Sequence, residues 1–541
     1  MPAIRTLLVA NRGEIAARIF RTAGRLGMET VAVYAPDDEG ALHTREAYRI
    51  ESVASYLDPA EIAAAAKRAN ADAVHPGYGF LAESPALAEA VTGAGLTWVG
   101  PPPDVLRSAG DKLEAKRIAA GAGVPVVETG TPEEVGFPLI IKAAAGGGGR
   151  GMRVVRSPEE LDEAVEAAKR EAKAGFGDDT VFFERYVERP RHVVIQLLAD
   201  AYGTAISLSE RDCSVQRRHQ KVVEESPSPA VDAALRRAMG DAAVALAKAL
   251  RYEGAGTAEF ILGEDGQFAF LELNARIQVE HPVTELVTGL DLVEQQLRIA
   301  AGEPLGLEGR DPAGHAVEAR LYAEHPLTFL PQAGRIEALE LPDGIRVDAG
   351  VAAGDEVPVA YDPMIAKLVA AGETREEALD RLAEALAETH VSGVVTNLPF
   401  LRWLVRHPAF RAGEATTAFL TEHPPLSRYP RVPRTWQRYW RVNRDPGLPA
   451  PPLQAPPQLE TAAHTASGDA NRTVVAPMPG TVIRVLAKAG DRVEARQPLV
   501  VVEAMKMETP LTSPFDATVK EIHVAEGDRV TAGMVLIELE E

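Results

Sequence analysis

The last 70 residues carry one pattern twice, and this repetition limits the possible fold more than any other feature of the chain. Thr481-Val482 returns as Thr518-Val519, and Gly490-Asp491-Arg492-Val493 as Gly527-Asp528-Arg529-Val530. Leu499 returns as Leu536 and Glu503 as Glu540, and every pair lies 37 positions apart. Both copies alternate apolar and polar residues and carry Gly-Asp turns. The pattern predicts two quasi-symmetric β-sheets packed face to face. The segment between the copies, Ala504-Met505-Lys506-Met507-Glu508-Thr509, is expected to be an exposed connection. A lysine on a hairpin tip is nothing special by itself. At the hinge of a repeat, collared by methionines and placed after a flexible linker, it reads as a handle on a swinging domain.

That linker shows in composition. Prolines are dense from Pro424 to Pro457 and end in Pro449, Pro451, Pro452, Pro456 and Pro457. Such a stretch forms no packed core and favours extended polyproline II. Its early part, Arg431 to Arg444, is basic and aromatic, with Trp436, Tyr439 and Trp440. Two readings stand: a tail packed on the preceding domain, or a segment that docks a partner.

A chain of 541 residues makes several domains, and 46% apolar with 25% charged residues allows large cores. No apolar run reaches the length of a membrane span. Met1-Pro2-Ala3-Ile4-Arg5 runs directly into a strand-like segment with no signal-peptide pattern, so a cytoplasmic location and no membrane partner are expected. A net charge of −21 argues against nucleic acid, which needs a basic footprint. It leaves a local phosphate site open, because a few lysines and arginines with Mg²⁺ bind phosphates on an acidic protein. The single cysteine, Cys213, excludes an internal disulfide and a cysteine-clustered zinc site. It is expected to be a half-buried filler rather than a nucleophile.

Thr6-Leu7-Leu8-Val9-Ala10 reads as a buried strand. Ile15 to Leu26 has helical spacing with Ile15, Ile19 and Leu26 on one face, and Thr30 to Tyr34 is a second strand. This βαβ unit predicts a parallel sheet. Its strand-to-helix turn, Asn11-Arg12-Gly13-Glu14, offers free N–H groups to an anion. It lacks the Gly-x-Gly-x-x-Gly pattern of a nicotinamide site. His75 to Glu83, an aromatic loop with two glycines and a proline, is weak evidence alone. Further on, the spacing predicts a helix near Ser108 to Gly121 and a strand over Pro138 to Lys142. An alanine-rich helix follows over Val231 to Leu250, then short strands from His315 to Val369 and a helix over Glu373 to Thr389.

Three clusters carry chemistry. Lys142-Ala143-Ala144-Ala145-Gly146-Gly147-Gly148-Gly149-Arg150-Gly151-Met152 follows a strand. Consecutive glycines let N–H groups converge on one anion, and a cation at each end suits a phosphate lid over a floppy hinge. It is not a Walker loop. Thr257 to Leu262 and Gln267 to Leu273 read as a hairpin. With Asp265-Gly266 as a two-residue turn, Glu259 lies opposite Glu272. Facing carboxylates repel, and a divalent cation between them resolves the conflict. If the chain stays extended, Asn274, Arg276, Gln278 and Glu280 share the face of Glu272, while Leu271, Leu273, Ile277 and Val279 take the other. Oxygen ligands suit Mg²⁺ or Mn²⁺, and an arginine with a further carboxylate suits a small anion and a base. A salt-bridged polar sheet face is the plainer account. The third cluster, Glu210 to Lys221, packs seven ionisable groups and a cysteine into twelve positions. Spacing alone allows a solvated charged loop.

Together these segments resemble the biotin carboxylase family with a biotin carboxyl carrier domain fused behind it. The likeness rests on Ala10-Asn11-Arg12-Gly13-Glu14-Ile15-Ala16, His75-Pro76-Gly77-Tyr78-Gly79-Phe80-Leu81, the Gly146 to Met152 loop, Glu210 to Glu225, and Arg276-Ile277-Gln278-Val279-Glu280-His281-Pro282-Val283-Thr284-Glu285, all in order. Ala504-Met505-Lys506-Met507 is similar to the biotinylation motif, with its lysine 35 residues before the end of the sequence. The resemblance implies an α/β fold: a Rossmann-like domain over 1–110 and an ATP-grasp domain over 111–315, with its lid at about 128–200. A C-terminal carboxylase domain over 316–430, a linker over 431–470 and a small all-β flattened-sandwich carrier over 471–541 follow.

By the same match Lys112, Lys142, Gly148, Gly149, Glu184, Arg185, Tyr186, Val187, His192, Gln216 and His219 would contact ATP, with Glu259 and Glu272. Glu259, Glu272 and Asn274 would serve Mg²⁺ or Mn²⁺. Lys221, Arg276, Gln278 and Val279 would hold bicarbonate, Glu280 would be the general base, Arg320 would stabilise the biotin anion, and Lys506 would carry biotin. The implied reaction is ATP-dependent carboxylation of biotin through carboxyphosphate. Departures from the family pattern are Val194, where a glutamate is frequent, Ala145 in the glycine loop, and shortened stretches at Val127 to Phe137 and around Glu51. The implied partners are a carboxyltransferase β subunit, a biotin protein ligase and a second copy of the chain in a homodimer. The acyl-CoA is expected to be acetyl- or propionyl-CoA. Two alternatives stay open: another ATP-grasp ligase with a lipoyl-like tail, and a non-catalytic biotin carrier scaffold.

Overall fold

The structure is a computed structural model that describes residues 4–144, 152–176, 178–217, 220–358, 360–424, 472–476, 480–504, 507–530 and 533–540. Gly148 and Gly149 with the rest of their loop, His219, the expected linker with its aromatic segment, and Lys506 lie outside the described residues. No described helix is long and apolar enough to cross a membrane.

The N-terminal sheet is parallel, in the order Arg49–Ser52, Glu29–Tyr34, Thr6–Val9, Ala73–His75, Thr97–Trp98. Leu7, Leu8 and Val9 are fully buried, as expected of a parallel strand covered on both faces. The predicted βαβ unit is therefore present, with its helix at Gly13–Arg25. Its buried face is Ile15, Ile19, Phe20 and Ala23, whereas Leu26, expected on that face, is the exposed C-cap. The Asn11–Glu14 turn packs against a second turn of the chain. Gly350 packs so closely on it that a Cβ there would lie 2.7 Å from Glu14 N.

The largest sheet has eight strands, in the order Phe268–Asn274, Gly254–Leu262, Arg191–Ala199, Ala205–Arg217, Gln220–Ser226, His315–Tyr322, Met364–Gly372, Arg346–Ala349. All its pairings are antiparallel. His315–Tyr322 pairs directly with Gln220–Ser226, so one platform runs through the segments before and after residue 315. Glu210, Arg211 and Asp212 are buried in it. The charged segment is thus a buried hairpin rather than a solvated loop. Cys213 is fully buried rather than half-buried.

The helix expected over Ser108 to Gly121 is two helices, Pro103–Gly110 and Lys112–Gly121. Asp111 separates them, because its carboxylate accepts from Leu113 N and Glu114 N at 3.0 Å each and caps the second helix. The other predicted helices appear as Ala233–Leu250 and Arg375–Glu388, capped by Asp232 and Thr374. A four-stranded sheet, Thr129–Gly130, Val181–Arg185, Leu139–Ala143, Arg153–Val155, stands where the lid is expected. It buries Leu139, Ile141 and Val155 against Ala168 of helix Leu161–Phe176.

The C-terminal repeat folds as two four-stranded sheets. Strands Gly480–Val485, Arg492–Val493 and Pro498–Ala504 recur, displaced by 37 residues, as Ala517–Ile522, Arg529–Val530 and Val535–Glu540. Each strand and its counterpart lie in opposite sheets. The bonds that link the copies obey the same symmetry. Gly490 N donates to Val519 O and Gly527 N to Val482 O, both at 2.7 Å, while Val519 N donates to Asp491 O and Val482 N to Asp528 O, both at 2.8 Å. Gly490 and Gly527 take φ of +92° and +94°, the left-handed region that favours glycine. Val482, Leu499, Val502, Val519, Leu536 and Ile537 fill the space between the sheets. Ala504 pairs with Met507.

Candidate active site

The hairpin places its carboxylates as predicted, by a route the sequence did not indicate. Gly263 N donates to Gln267 O at 2.9 Å, so the connection is a three-residue loop, Glu264 to Gly266, and not a two-residue turn. This shifts the register by one, pairing Leu262 with Phe268 and Phe260 with Phe270. A bulge at Leu271 restores it, and Glu259 then faces Glu272. Beyond Asn274 the strand ends, so the extended face expected through Glu280 does not form. The chain instead turns through Arg276 to Glu280 into helix His281–Thr288, which still brings Gln278 and Glu280, both buried, back to Glu259.

Glu259 is the centre of a buried polar network. Its Oε1 accepts from Lys221 Nζ at 2.9 Å, from Asn274 Nδ2 at 2.8 Å and from Gln278 Nε2, and its Oε2 lies 2.5 Å from His192 Nε2. Lys221 Nζ also donates to Glu280 Oε1 at 2.7 Å, and Arg320 donates to Glu280 Oε2 at 2.8 Å and pairs with Glu224. Gln216 Nε2 meets His192 Nδ1 at 2.5 Å. Arg211, fully buried, holds Gln278 Oε1 at 2.6 Å and Gln196 and Thr284 at 2.8 Å each. Val194, the departure from the family pattern, is buried beside Glu259 in the ladder and adds an apolar patch to this wall.

Burial alone raises a carboxyl pKa, but here cations win. Lys221 and His192 outweigh burial at Glu259 and hold it well below its ordinary value. At Glu280, Lys221, Arg320 and Arg211 outweigh burial, and its pKa is lowered too. Cys213 lies 3.9 Å from Glu280 Oε1, and burial pushes its thiol well up, which suits a filler and not a nucleophile. The Nε atoms of Arg211 and Arg320 are buried without a hydrogen-bond partner among the described residues.

A second cluster lies beside the lid sheet. Lys142 Nζ is 2.6 Å from Glu184 Oε2, and Lys116 Nζ pairs with the other oxygen. Burial, then repulsion from Lys142 and Lys112, lowers Lys116 to about 6, while burial and Lys112 lower Lys142 to about 8. Glu272 opposes both shifts, so it faces these lysines while pairing with Glu259 and connects the two clusters. Arg185 points away to Glu128 at 3.3 Å, and Tyr186, whose N donates to Pro138 O at 3.1 Å, has its ring against Arg156. Val187, the next residue, is half-buried.

Oxygen-only donors in opposed pairs fit a hard divalent ion: Glu259, Glu272 and the Asn274 amide oxygen.

Sequence reasoning missed Lys116, Arg211, Glu224 and Glu83. Glu83 accepts from Arg276 Nε at 3.0 Å and from Ala275 N at 2.9 Å. Its loop is built on Asn11, whose Nδ2 donates to Pro76 O and Tyr78 O at 2.8 and 2.7 Å, across Gly77 at φ +64°. A Cβ on Gly77 would lie 2.9 Å from that amide.

Comparison with known proteins covers nearly the whole chain. The profile of the biotin carboxylase N-terminal domain matches residues 3–106, that of the carbamoyl-phosphate synthase L chain ATP-binding domain 111–308, that of the biotin carboxylase C-terminal domain 318–422, and that of biotin-requiring enzymes 472–539. Biotin carboxylase 2 of Bacillus subtilis is 49% identical over 439 residues, covering 77% of this chain and 99% of that one. The mitochondrial methylcrotonoyl-CoA carboxylase subunit alpha of Mus musculus is 38% identical and covers 99% of this chain and 93% of that one. The subunit of the same name from Dictyostelium discoideum is 48% identical, and the chain spans 65% of its length. Among solved structures, the biotin carboxylase domain dimer of Hydrogenobacter thermophilus 2-oxoglutarate carboxylase, in complex with MgADP, ADP and bicarbonate, superposes with a TM-score of 0.78 at 41% identity. It covers 79% of this chain and 100% of that one.

Proposed function

Because this chain belongs to the biotin carboxylase family and carries its own biotinyl domain, we propose that the pocket around Glu259 and Glu280 is where ATP phosphorylates bicarbonate, with release of ADP, and where the carboxyl group passes to biotin. The chain is an ATP-dependent ligase whose cofactors are biotin and ATP with Mg²⁺.

Bicarbonate sits between Arg276, Lys221, Gln278 and Val279. Glu280 takes its proton as the oxygen attacks the γ-phosphate, giving carboxyphosphate and ADP. Lys112 and Lys142 face the phosphates, and Glu184, which also pairs with Lys116, keeps Lys142 in place. Preorganised cations of this kind stabilise the charge that develops during phosphoryl transfer. A divalent ion held by Glu259, Glu272 and Asn274 would neutralise phosphate charge and hold its oxygens. His192 and Gln216, in contact with each other, line the nucleotide side. Arg320, beside Glu280, would hold the ureido ring of biotin, which would accept CO₂ from carboxyphosphate while the released phosphate takes up the ureido proton. The observation that carries this reading is the Glu280 carboxylate, buried and held at once by Lys221 and Arg320, next to the opposed pair Glu259 and Glu272.

The assay is bicarbonate-dependent ATP hydrolysis. Glu280→Gln should reduce it about a hundredfold or more while ATP still binds. An unchanged rate removes Glu280 from the chemistry.

Biotin is attached at Lys506, and a streptavidin blot of wild type against Lys506→Arg should lose its signal. The acyl transfer belongs to a partner carboxyltransferase, in keeping with the α-subunit names of the relatives. Those names put methylcrotonoyl-CoA beside acetyl- and propionyl-CoA as acceptors to test on the co-purified complex. A biotin protein ligase is the modifying partner, the carboxylase part pairs as a homodimer, and the location is cytoplasmic.

A further inference from the structure

Lys367 has no part in the proposed mechanism, yet it is among the most deeply buried charges of the fold. It lies in strand Met364–Gly372 between Ala366 and Leu368, and all three are fully buried. A buried ammonium must be paired. Its partners come from three parts of the chain. Nζ donates to Val279 O at 3.0 Å, lies 3.1 Å from Glu14 Oε2 on the first helix, and lies 3.7 Å from Asp348 Oδ2 on the neighbouring strand. Gly350, which follows that strand, is what lets the first helix come close enough for Glu14 to reach.

In the ladder Lys367 stands opposite Arg320 on one side and Asp348 on the other. Two buried cations side by side repel, and carboxylates compensate both: Glu224 and Glu280, the latter shared with Lys221, for Arg320, and Glu14 and Asp348, the latter shared with Arg21 and Arg346, for Lys367. The result is a graded grip on three consecutive residues. Arg211 holds the side chain of Gln278, Lys367 the carbonyl of Val279, and Arg320 the carboxylate of Glu280.

We propose that Lys367 is a positioning residue for the carboxylation step: by holding the Val279 carbonyl it fixes the Gln278–Glu280 turn against which bicarbonate binds. This rests on the reading of that pocket as the bicarbonate site. Lys367 touches no substrate, so its loss should loosen one substrate and spare the other. Lys367→Met should raise the KM for bicarbonate about tenfold or more while the KM for ATP stays within about twofold. Amide hydrogen exchange over residues 276–281 should quicken by a similar factor. Lys367→Met also strands the Glu14 carboxylate, which lowers the melting temperature. Adding Glu14→Gln should recover stability and leave the bicarbonate KM high.

An unchanged bicarbonate KM in Lys367→Met overturns the proposal. So does a KM that returns to normal together with the melting temperature in the double variant, since that is the behaviour of a merely structural lysine. If wild type hydrolyses no ATP in response to bicarbonate, the functional reading fails and the catalytic part of this proposal fails with it. Exchange over 276–281 then decides separately whether Lys367 holds the turn.

Discussion

Glu280 meets bicarbonate already surrounded by cations, and that shapes how it acts as a base. Lys221 and Arg320 both hold its carboxylate, so its proton affinity in the free site is low. Bicarbonate is itself an anion and shares those cations, so its arrival raises the proton affinity of Glu280 at the moment a base is needed. The lysines on the phosphate side behave in the opposite way. Lys142 is lowered to about 8 by burial and by Lys112, so in the free protein it loses its charge as pH rises through that value. kcat/KM for ATP should therefore fall about tenfold per pH unit above about 8, and Lys142→Gln should flatten that limb. Glu83→Gln releases Arg276 and should raise the bicarbonate KM about tenfold with little effect on ATP. Sequence spacing could reveal Glu259, Glu272, Asn274 and Glu280 because they share one short segment. Glu83 was not legible, because its partner Arg276 lies 193 positions away and only the folded chain brings them together.

At the level of elements, the hairpin shows how a right pairing can follow from a wrong turn. Alternation and the facing carboxylates were legible. The three-residue loop and the bulge at Leu271 were not, because their one-residue shifts cancel before Glu259. The break at Asp111 was missed for a related reason: apolar spacing runs through it, and only the cap geometry marks the start of the second helix. Asp111→Ala should cost about 1 kcal/mol of stability. It should also raise the ATP KM, since Lys112 and Lys116 lie on the first turns of that helix, which denaturant melts and ATP titrations will show. In the carrier, Gly490→Ala and Gly527→Ala should each cost about 1 kcal/mol in thermal unfolding, by the same amount, because the two turns are copies.

Across the whole molecule, the eight-stranded sheet joins the segments on either side of residue 315 into one platform, so neither is expected to fold well without the other. The carrier buries its apolar residues within its own two sheets. A chain ending at residue 424 should therefore stay folded and hydrolyse ATP with bicarbonate and free biotin. Streptavidin binding should vanish with the removed part, and loss of folding on truncation would contradict the independence of the carrier core. The repeat was the most legible large-scale feature, since its spacing is written in the chain. The continuous sheet was not, because its central joint pairs Gln220–Ser226 with His315–Tyr322, which have three helices and two strands between them in sequence.

The exchanged bonds of the carrier also set an order of events in the cell. The sheet that includes Pro498–Ala504 is completed by Arg529–Val530, and the facing sheet by Val535–Glu540. While a ribosome is still translating the stretch just after Lys506, half of each sheet does not yet exist. A modifying enzyme that reads the folded carrier must wait until the strands that follow Lys506 have emerged, so attachment of the cofactor is tied to a carrier whose two sheets are complete.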